Sequence, residues 1–454
     1  MKNRFSMVMA ALVALVIVAA AGSAAASVAD QHLVLFKGRS VPAGFAADVA
    51  ELGGSVVFAH DVGIAVVAGL SDDAAATIAA SKRVADIRRD DVFLLDPITK
   101  ADVATVGDGA VDTPGDPTTA FFYPRQWNMR AIEADAAWAA GRLGSPGVTV
   151  AILDTGIDYT YPDLDGLVDL GRSISFIPED DDYVDMYFPG KHYVTDLYFH
   201  GTHVAATVAS NALVCAGVTS QPTLMGVKVC GVTGGCPFSA VISGVLYAAD
   251  MGADVANMSL GGGFTKAGQG WYVGFINRVF NYANNAGMTV VVSAGNDALD
   301  LDHYPNLYKT YCDAPNAICV SATGPTAADG REGPWYEVDA PAPYTNYGRS
   351  AINVAAPGGT YLPASSGGWI WAGCSQTSLV IPVCQTGTYI IGATGTSMAA
   401  PHVAGLAALA VEDVGRDPGA VRALIQQTAD DLGQPGTDPF YGKGRINVGT
   451  YVGD

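Results

Sequence analysis

No cysteine occurs before residue 215 of the 454, and no run after residue 26 reaches the ~18 unbroken apolar residues that a spanning helix needs. The first absence confines any disulfide framework to residue 215 onward; the second excludes a polytopic membrane protein. Charge is scarce as well. Asp, Glu, Lys and Arg make up only 15% of the residues, and bases are the rarer kind, 24 Lys and Arg against 44 Asp and Glu, for a net charge of −20. A chain so poor in positive charge has little electrostatic grip on nucleic-acid phosphates or anionic lipid, so neither a nucleic-acid partner nor stable membrane association is expected. Glutamate is scarce too. From residue 120 onward 30 acids face 15 bases, and only five of those acids are Glu. Asp, which dominates, favours loops and calcium shells over helix interiors. With 50% of residues apolar, a disordered polyelectrolyte is excluded and a sizeable core is available.

The first 26 residues have the layout of a secretory signal peptide. Lys2 and Arg4 precede an apolar run from Met7 to Ala21, and Ala24-Ala25-Ala26 offers a small-residue cleavage site. An N-terminal membrane anchor is the competing reading of the same run. Export to an extracellular, oxidising space suits the seven cysteines. Three pairs lie close in sequence: Cys230 with Cys236, Cys312 with Cys319, and Cys374 with Cys384. Closing loops that short contributes roughly 2–2.5 kcal/mol each. Spacing alone leaves the connectivity open, and Cys215 is the odd one, read as a buried thiol.

Two folded units are expected after the signal. Residues 27–96 read as strand, helix, two strands, helix and a last strand near Val84 to Leu95, a compact α+β module of ferredoxin-like type without cysteine or a catalytic cluster. Residues 97–119, rich in Gly, Asp, Pro and Thr, have the composition of an exposed, cleavable linker. From residue 120 to 454 strands and helices alternate. Continuous apolar runs at Val148–Leu153, Thr223–Cys230, Asp254–Leu260, Met288–Ser293, Ala317–Ala322 and Ile352–Ala355 read as strands buried on both faces. Helical stretches lie between them, notably Ser239–Met251 and Val273–Ala286. The pattern predicts an α/β fold, a mostly parallel sheet with helices on both faces. Functional residues then belong just beyond the carboxyl ends of the strands.

Four motifs occupy such places. Asp154-Thr155-Gly156 follows the first strand. His200-Gly201-Thr202-His203-Val204-Ala205 opens a small-residue helix, where residues three apart share a face. A zinc site using His192, His200 and His203 is therefore an alternative, although no H-E-x-x-H pattern or zinc-type cysteine spacing supports it. Val290 to Asn296 is a buried strand ending in an amide. Gly395-Thr396-Ser397-Met398-Ala399-Ala400-Pro401-His402-Val403-Ala404-Gly405 sets a serine at the start of a buried helix, with Pro401 expected in the first turn.

Taken in order, these segments, with Ser259-Leu260-Gly261, Tyr161-Pro162-Asp163-Leu164, Gly226-Val227-Lys228-Val229 and Gly444-Arg445-Ile446-Asn447-Val448, resemble the subtilisin family of serine proteases over roughly Trp127 to Val448. The chain order Asp, His, Ser is that family's. The resemblance implies a secreted serine endopeptidase acting on protein or peptide substrates through an acyl-enzyme. Ser397 would be its nucleophile, His200 its general base and acid, and Asp154 the residue that orients His200. It implies Asn296 in the oxyanion hole with the Ser397 N–H, and substrate walls at Ser259, Leu260 and Gly261 and at Ser293, Ala294 and Gly295. The pocket walls assigned in this way are small and uncharged, which favours apolar residues at the cleaved bond. No cofactor is required for the chemistry. Structural calcium is implied at Asp163, which matches a calcium-binding Asp of the family. Residues 27–96 resemble the family's propeptide, a folding assistant and inhibitor removed by self-cleavage between about Leu95 and Pro124, and a monomer is expected. Glu179 to Asp182 reads as an acidic insertion in a solvated loop.

Overall fold

The computed structural model describes residues 30–95, 102–105, 116–309, 311–361 and 367–453. The expected signal peptide at 1–26 and most of the 97–119 linker lie outside them. The first unit runs β1 (Gln31–Phe36), α1 (Phe45–Glu51), β2 (Ser55–His60), β3 (Ile64–Ala68), α2 (Asp72–Ala79) and β4 (Val84–Arg89). Its four strands form an antiparallel sheet in the order β2-β3-β1-β4. Ser71 caps α2 by accepting the Ala74 N–H, which satisfies one of the unpaired donors of the first turn. Val34, Phe36, Phe45, Val49, Ala65, Val67 and Ile78 close a small core of its own.

The last expected strand of this unit does not stay in one piece. It breaks after Arg89, and β5 (Val92–Leu94) leaves the small sheet to pair antiparallel with β10 (Gly235–Pro237) of the larger unit. A further short strand, β6 (Asp102–Thr105), pairs later in the chain with the strand that leads to Ser397.

The larger unit is built on β7 (Thr149–Asp154), β8 (Ile174–Ser175), β9 (Thr223–Lys228), β11 (Val255–Met258), β13 (Thr289–Ser293), β15 (Ile318–Thr323) and β16 (Val354–Pro357). They form one sheet in the order β16-β15-β13-β11-β7-β9-β8, parallel at every pairing. Two short antiparallel pairs flank it, β12 (Gly263–Thr265) with β14 (Leu307–Lys309), and β17 (Ile370–Gly373) with β18 (Tyr389–Ala393). The principal helices are α3 (Pro178–Tyr187), α4 (His200–Val208), α5 (Phe238–Asp250), α6 (Trp271–Asn285), α7 (Thr396–Val414) and α8 (Pro418–Gln427).

Alternate residues of each strand serve opposite faces, as the two-residue period requires. Val150 and Ile152 pack with the α4 and α7 side, whereas Ala151 and Leu153 pack with α5 and α6. Both faces are covered, so the strands are apolar throughout, and every residue of β7 is buried. The order of the sheet brings the ends of β7, β11 and β13 side by side, which places Asp154, Ser259–Gly261 and Asn296 in one neighbourhood.

Two local expectations are corrected. Residues 179–182 are not a free loop: they lie in α3, where Asp180 is buried and pairs with the buried ammonium of Lys228 at 3.2 Å. Pro401 lies in the second turn of α7, not the first. A proline there leaves the carbonyl four residues back without its helical donor. That carbonyl belongs to Ser397, and the Ser259 hydroxyl donates to it at 2.7 Å. The three near-sequence cysteine pairs are the three disulfides, and Cys215 is a buried free thiol. Among the described residues no helix is long and apolar enough to cross a membrane.

Candidate active site

Asp154 is the last residue of β7 and is fully buried. Its Oδ1 accepts the Thr155 N–H at 2.8 Å and lies 2.8 Å from Nδ1 of His200. Because that carboxylate is an acceptor, the neutral imidazole carries its proton on Nδ1, which makes Nε2 the acceptor nitrogen.

The His200 helix reaches this place through a buried acid that the sequence reading missed. Asp196 takes five hydrogen bonds. Its Oδ1 accepts from the Thr155 hydroxyl at 2.9 Å and from the N–H groups of Tyr198 and Phe199 at 3.0 Å each. Its Oδ2 accepts from the N–H and the hydroxyl of Thr202 at 2.9 and 2.6 Å. Burial raises its pKa, and the bonds from Thr202 and Thr155 oppose that rise. One carboxylate thus ties the tip of β7 to the first turn of α4. The signal available in the sequence was its place, an Asp four residues ahead of His200 and just before a helix start. The two elements also touch backbone to backbone: a Cβ on Gly201 would lie 2.0 Å from the carbonyl oxygen of Gly156, so only glycine permits the approach.

His203, His192 and His402 each have a contact of their own. His203 is buried with Nε2 3.1 Å from the Ile370 carbonyl, and burial lowers its pKa to about 3. His192 accepts the Val194 N–H on Nδ1 at 3.1 Å. His402 has Nδ1 2.8 Å from the Met398 carbonyl and Nε2 2.8 Å from the Asn128 amide nitrogen, and burial lowers its pKa to about 4. Among the described residues no group of three or more His, Cys, Asp or Glu is placed to hold a metal ion.

Ser397 sits in the first turn of α7. Its hydroxyl donates to the Ser259 carbonyl at 3.1 Å, the return half of the exchange that satisfies the Ser397 carbonyl. Asn296, beyond the end of β13, is fixed through its amide oxygen, which accepts from the N–H and the hydroxyl of Thr396 at 2.8 and 3.0 Å. A Cβ built on Gly395 would lie 3.5 Å from Asn296 Nδ2 and 3.7 Å from both its Oδ1 and the Ser397 N–H nitrogen, so these atoms border one small space.

A cleft of about 120 Å³ opens beside Ser397. Its walls include Ser259, Leu260 and Gly261 on one side and Ser293, Ala294 and Gly295 on the other, all six of them expected from the sequence. Two further wall residues, Asp297 and Lys309, were not expected. Lys309 sits on β14, opposite Gly263, in a loop whose pairing no local pattern announces. Leu94 and Leu95 of the chain's own N-terminal unit border the same cleft, with the Leu95 N–H donating to the Gly234 carbonyl at 2.8 Å. Phe93 packs on the backbone of Gly262, where a Cβ would come within 2.7 Å of its ring, and stands edge-on to Phe238 at 6.1 Å between centroids.

Asp163 is fully buried, but its carboxylate faces amides. Oδ1 accepts from the N–H groups of Leu213 and Val214 at 2.9 and 2.8 Å, and Oδ2 from that of Cys215 at 2.9 Å. Three converging N–H donors suit an anion and repel a cation. The residues do not fit calcium, so that expectation is not carried forward. Asp163 instead organises the loop after α4.

Residues 145–444 match the Subtilase family. Thermitase of Thermoactinomyces vulgaris is 34% identical over 336 residues, covering 74% of this chain and 98% of thermitase. Subtilisin Savinase of Lederbergia lenta is 30% identical over 328 residues, covering 71% of this chain and 96% of its own. Among solved structures, the epidermin leader peptide processing serine protease of Staphylococcus aureus superposes with a TM-score of 0.72 at 19% identity, over 93% of this chain and 97% of that one.

Proposed function

We propose, from the premise that the chain belongs to the subtilase family and is a serine endopeptidase, that Asp154, His200 and Ser397 are its catalytic triad and that it is made as a self-processed precursor. The observation that carries the reading is the 2.8 Å contact of His200 Nδ1 with the buried Asp154, in a cleft whose edge is already occupied by β5 next to Ser397.

In this mechanism the Ser397 hydroxyl attacks the substrate carbonyl while His200 Nε2 takes its proton. Asp154 stabilises the imidazolium that forms but stays ionised itself. Asn296 Nδ2 and the Ser397 N–H would meet the oxyanion, held in place before charge develops and so without reorganisation during the step. His200 then gives its proton to the leaving amine. A water molecule, deprotonated by the same Nε2, releases the acyl group from Ser397 by the reverse sequence. The substrate backbone would lie as an added strand between β10 and the Ser259–Gly261 edge, the place that β5 occupies in this chain. No cofactor takes part.

Residues 27–96 then act as propeptide. They supply the strand that fills the cleft, and cleavage between β5 and Pro124 converts the precursor into a secreted, monomeric enzyme, with the signal at 1–26 removed earlier. Ser397→Ala tests this reading. Wild type should yield a mature band lacking residues 30–95, and the variant should accumulate uncut and fail to react with a fluorophosphonate. Identical processing of the variant would assign cleavage to another protease. Chelator-sensitive hydrolysis by Ser397→Ala would favour a metal-dependent hydrolase instead.

A further inference from the structure

The cleft next to Ser397 has one feature that small, uncharged walls do not explain. The ammonium of Lys309 lies along it. Register places Lys309 directly across from Gly263, and its Nζ is 3.6 Å from the point where a side chain on Gly263 would begin. Its Cε is 3.6 Å from the corresponding point on Gly295, in the opposite wall. The end of the lysine therefore bridges the two glycine walls. Asp297 forms an ion pair with it, but the partners are unequally placed: the lysine side chain is 12% exposed and the aspartate side chain 49%. Burial would raise the Asp297 pKa, yet the hydrogen bond and charge of Lys309 outweigh this and hold it below the usual carboxylate range. Asp297 is thus ionised beside the ammonium, and both line the cleft, the lysine largely enclosed and the aspartate half-exposed.

Resting on the serine-endopeptidase reading, we infer that Lys309 is a specificity-determining residue and that the enzyme prefers an acidic side chain, Asp or Glu, immediately before the cleaved bond. Three physical effects favour that choice. An ammonium has three donors, so it serves Asp297 and a second carboxylate together. A substrate side chain that seals the cleft strips the ammonium of its remaining water, and only an acid returns a charge-assisted hydrogen bond in exchange. A basic side chain would bring a like charge against Lys309, and the Asp297 carboxylate, screened by solvent, offsets that repulsion poorly. This replaces the apolar preference expected from the sequence. Leu94 and Leu95, preceded by Phe93, line the cleft here, and that sequence sets the rest of the probe.

The test uses the processed wild-type enzyme and fluorogenic amides Phe-Leu-Leu-X, with X as Glu, Gln, Asp, Asn, Leu or Lys. We expect kcat/KM for Glu to exceed that for Gln by about tenfold, with Lys slowest and the Glu advantage shrinking in high salt. Lys309→Met should bring the Glu-to-Gln ratio close to one, and Lys309→Glu should place Lys ahead of Glu. Such ratios do not depend on how much of a variant folds. A wild-type ratio near one, Lys as the fastest substrate, or an unchanged ratio in Lys309→Met would overturn the inference. Failure of the endopeptidase reading looks different: no X is cleaved and Ser397 takes up no fluorophosphonate.

Discussion

The two folded units of this chain are held by different physics. The larger one carries all three disulfides and a sheet whose two faces are both sealed by helices. The smaller has no cysteine, and it docks through an apolar contact, in which Leu33, Leu35, Val62 and Ile64 join the cluster of α5 and α6 side chains, together with polar groups. Asp90 accepts the Ser239 N–H at 3.0 Å and also the Ser239 hydroxyl, at the start of α5. Asp91 receives the Tyr272 hydroxyl from α6. Arg278 donates to the Phe36 and Val62 carbonyls at 2.7 and 3.1 Å, and His60 contacts Asp250 at 3.0 Å. On the reading proposed above, the smaller unit is the one to be released. Hydrogen bonds of this kind contribute only about 1 kcal/mol each net of water.

The contrast is sharpest if chemistry can be lost while docking persists. Asn296→Ala should lower kcat by about 10²–10³-fold with little change in KM, a magnitude taken from oxyanion-hole removal in a subtilisin. Hydrogen-exchange protection of β5 in the precursor should not move. An unchanged kcat would remove Asn296 from the oxyanion hole.

A smaller effect is expected from the covalent ties. Replacing Cys374 and Cys384 together by serine should destabilise the processed enzyme by about 2–3 kcal/mol in denaturant unfolding. Protection of β5 should be the same in the doubly substituted precursor as in wild type, because neither cysteine touches the smaller unit's core. Loss of both at once would mean that the two units share one cooperative transition.

The dock itself should respond to pH. Burial raises Asp90 to about 7, against the opposing bonds from Ser239. Once undocked, the carboxylate returns to the ordinary range near 4. Between those values the docked state binds more protons than the released one, so docking weakens as pH rises through this window and is strongest below it. In the Ser397→Ala precursor the opening equilibrium of β5, from hydrogen exchange corrected for intrinsic rates, should rise by up to about tenfold per pH unit toward pH 7. Asp90→Asn should flatten that slope; a slope left intact would assign it to another group. The smallest change is expected from Tyr272→Phe, which removes only the hydroxyl on Asp91 and should weaken docking by about 1 kcal/mol in the same measurement.

Much of this molecule was legible in one dimension, for local reasons. An apolar run of six residues between turn signals has few ways to fold, and the expected strands of the larger sheet fall within about two residues of those formed. Cysteines six to ten positions apart meet because a short loop brings them together. The residue types of the candidate site also stood out, since Asp154, His200 and Ser397 each follow a strand or open a helix in a small-residue setting. What the sequence hid is long-range. The carbonyl that Pro401 leaves unpaired finds its donor 138 positions away at Ser259. Asp163, an acid of calcium-ligand type, is aimed at amides 50–52 positions on, which makes it a loop organiser. Lys309 becomes a cleft wall only when β14 pairs with β12, and β5 leaves its own sheet only because β10 offers it an unpaired edge. Pattern along a chain reports which face a residue shows to the core, but the partner that it meets there is fixed by packing, because the energy of a polar group is decided by the atoms around it and not by its neighbours in sequence.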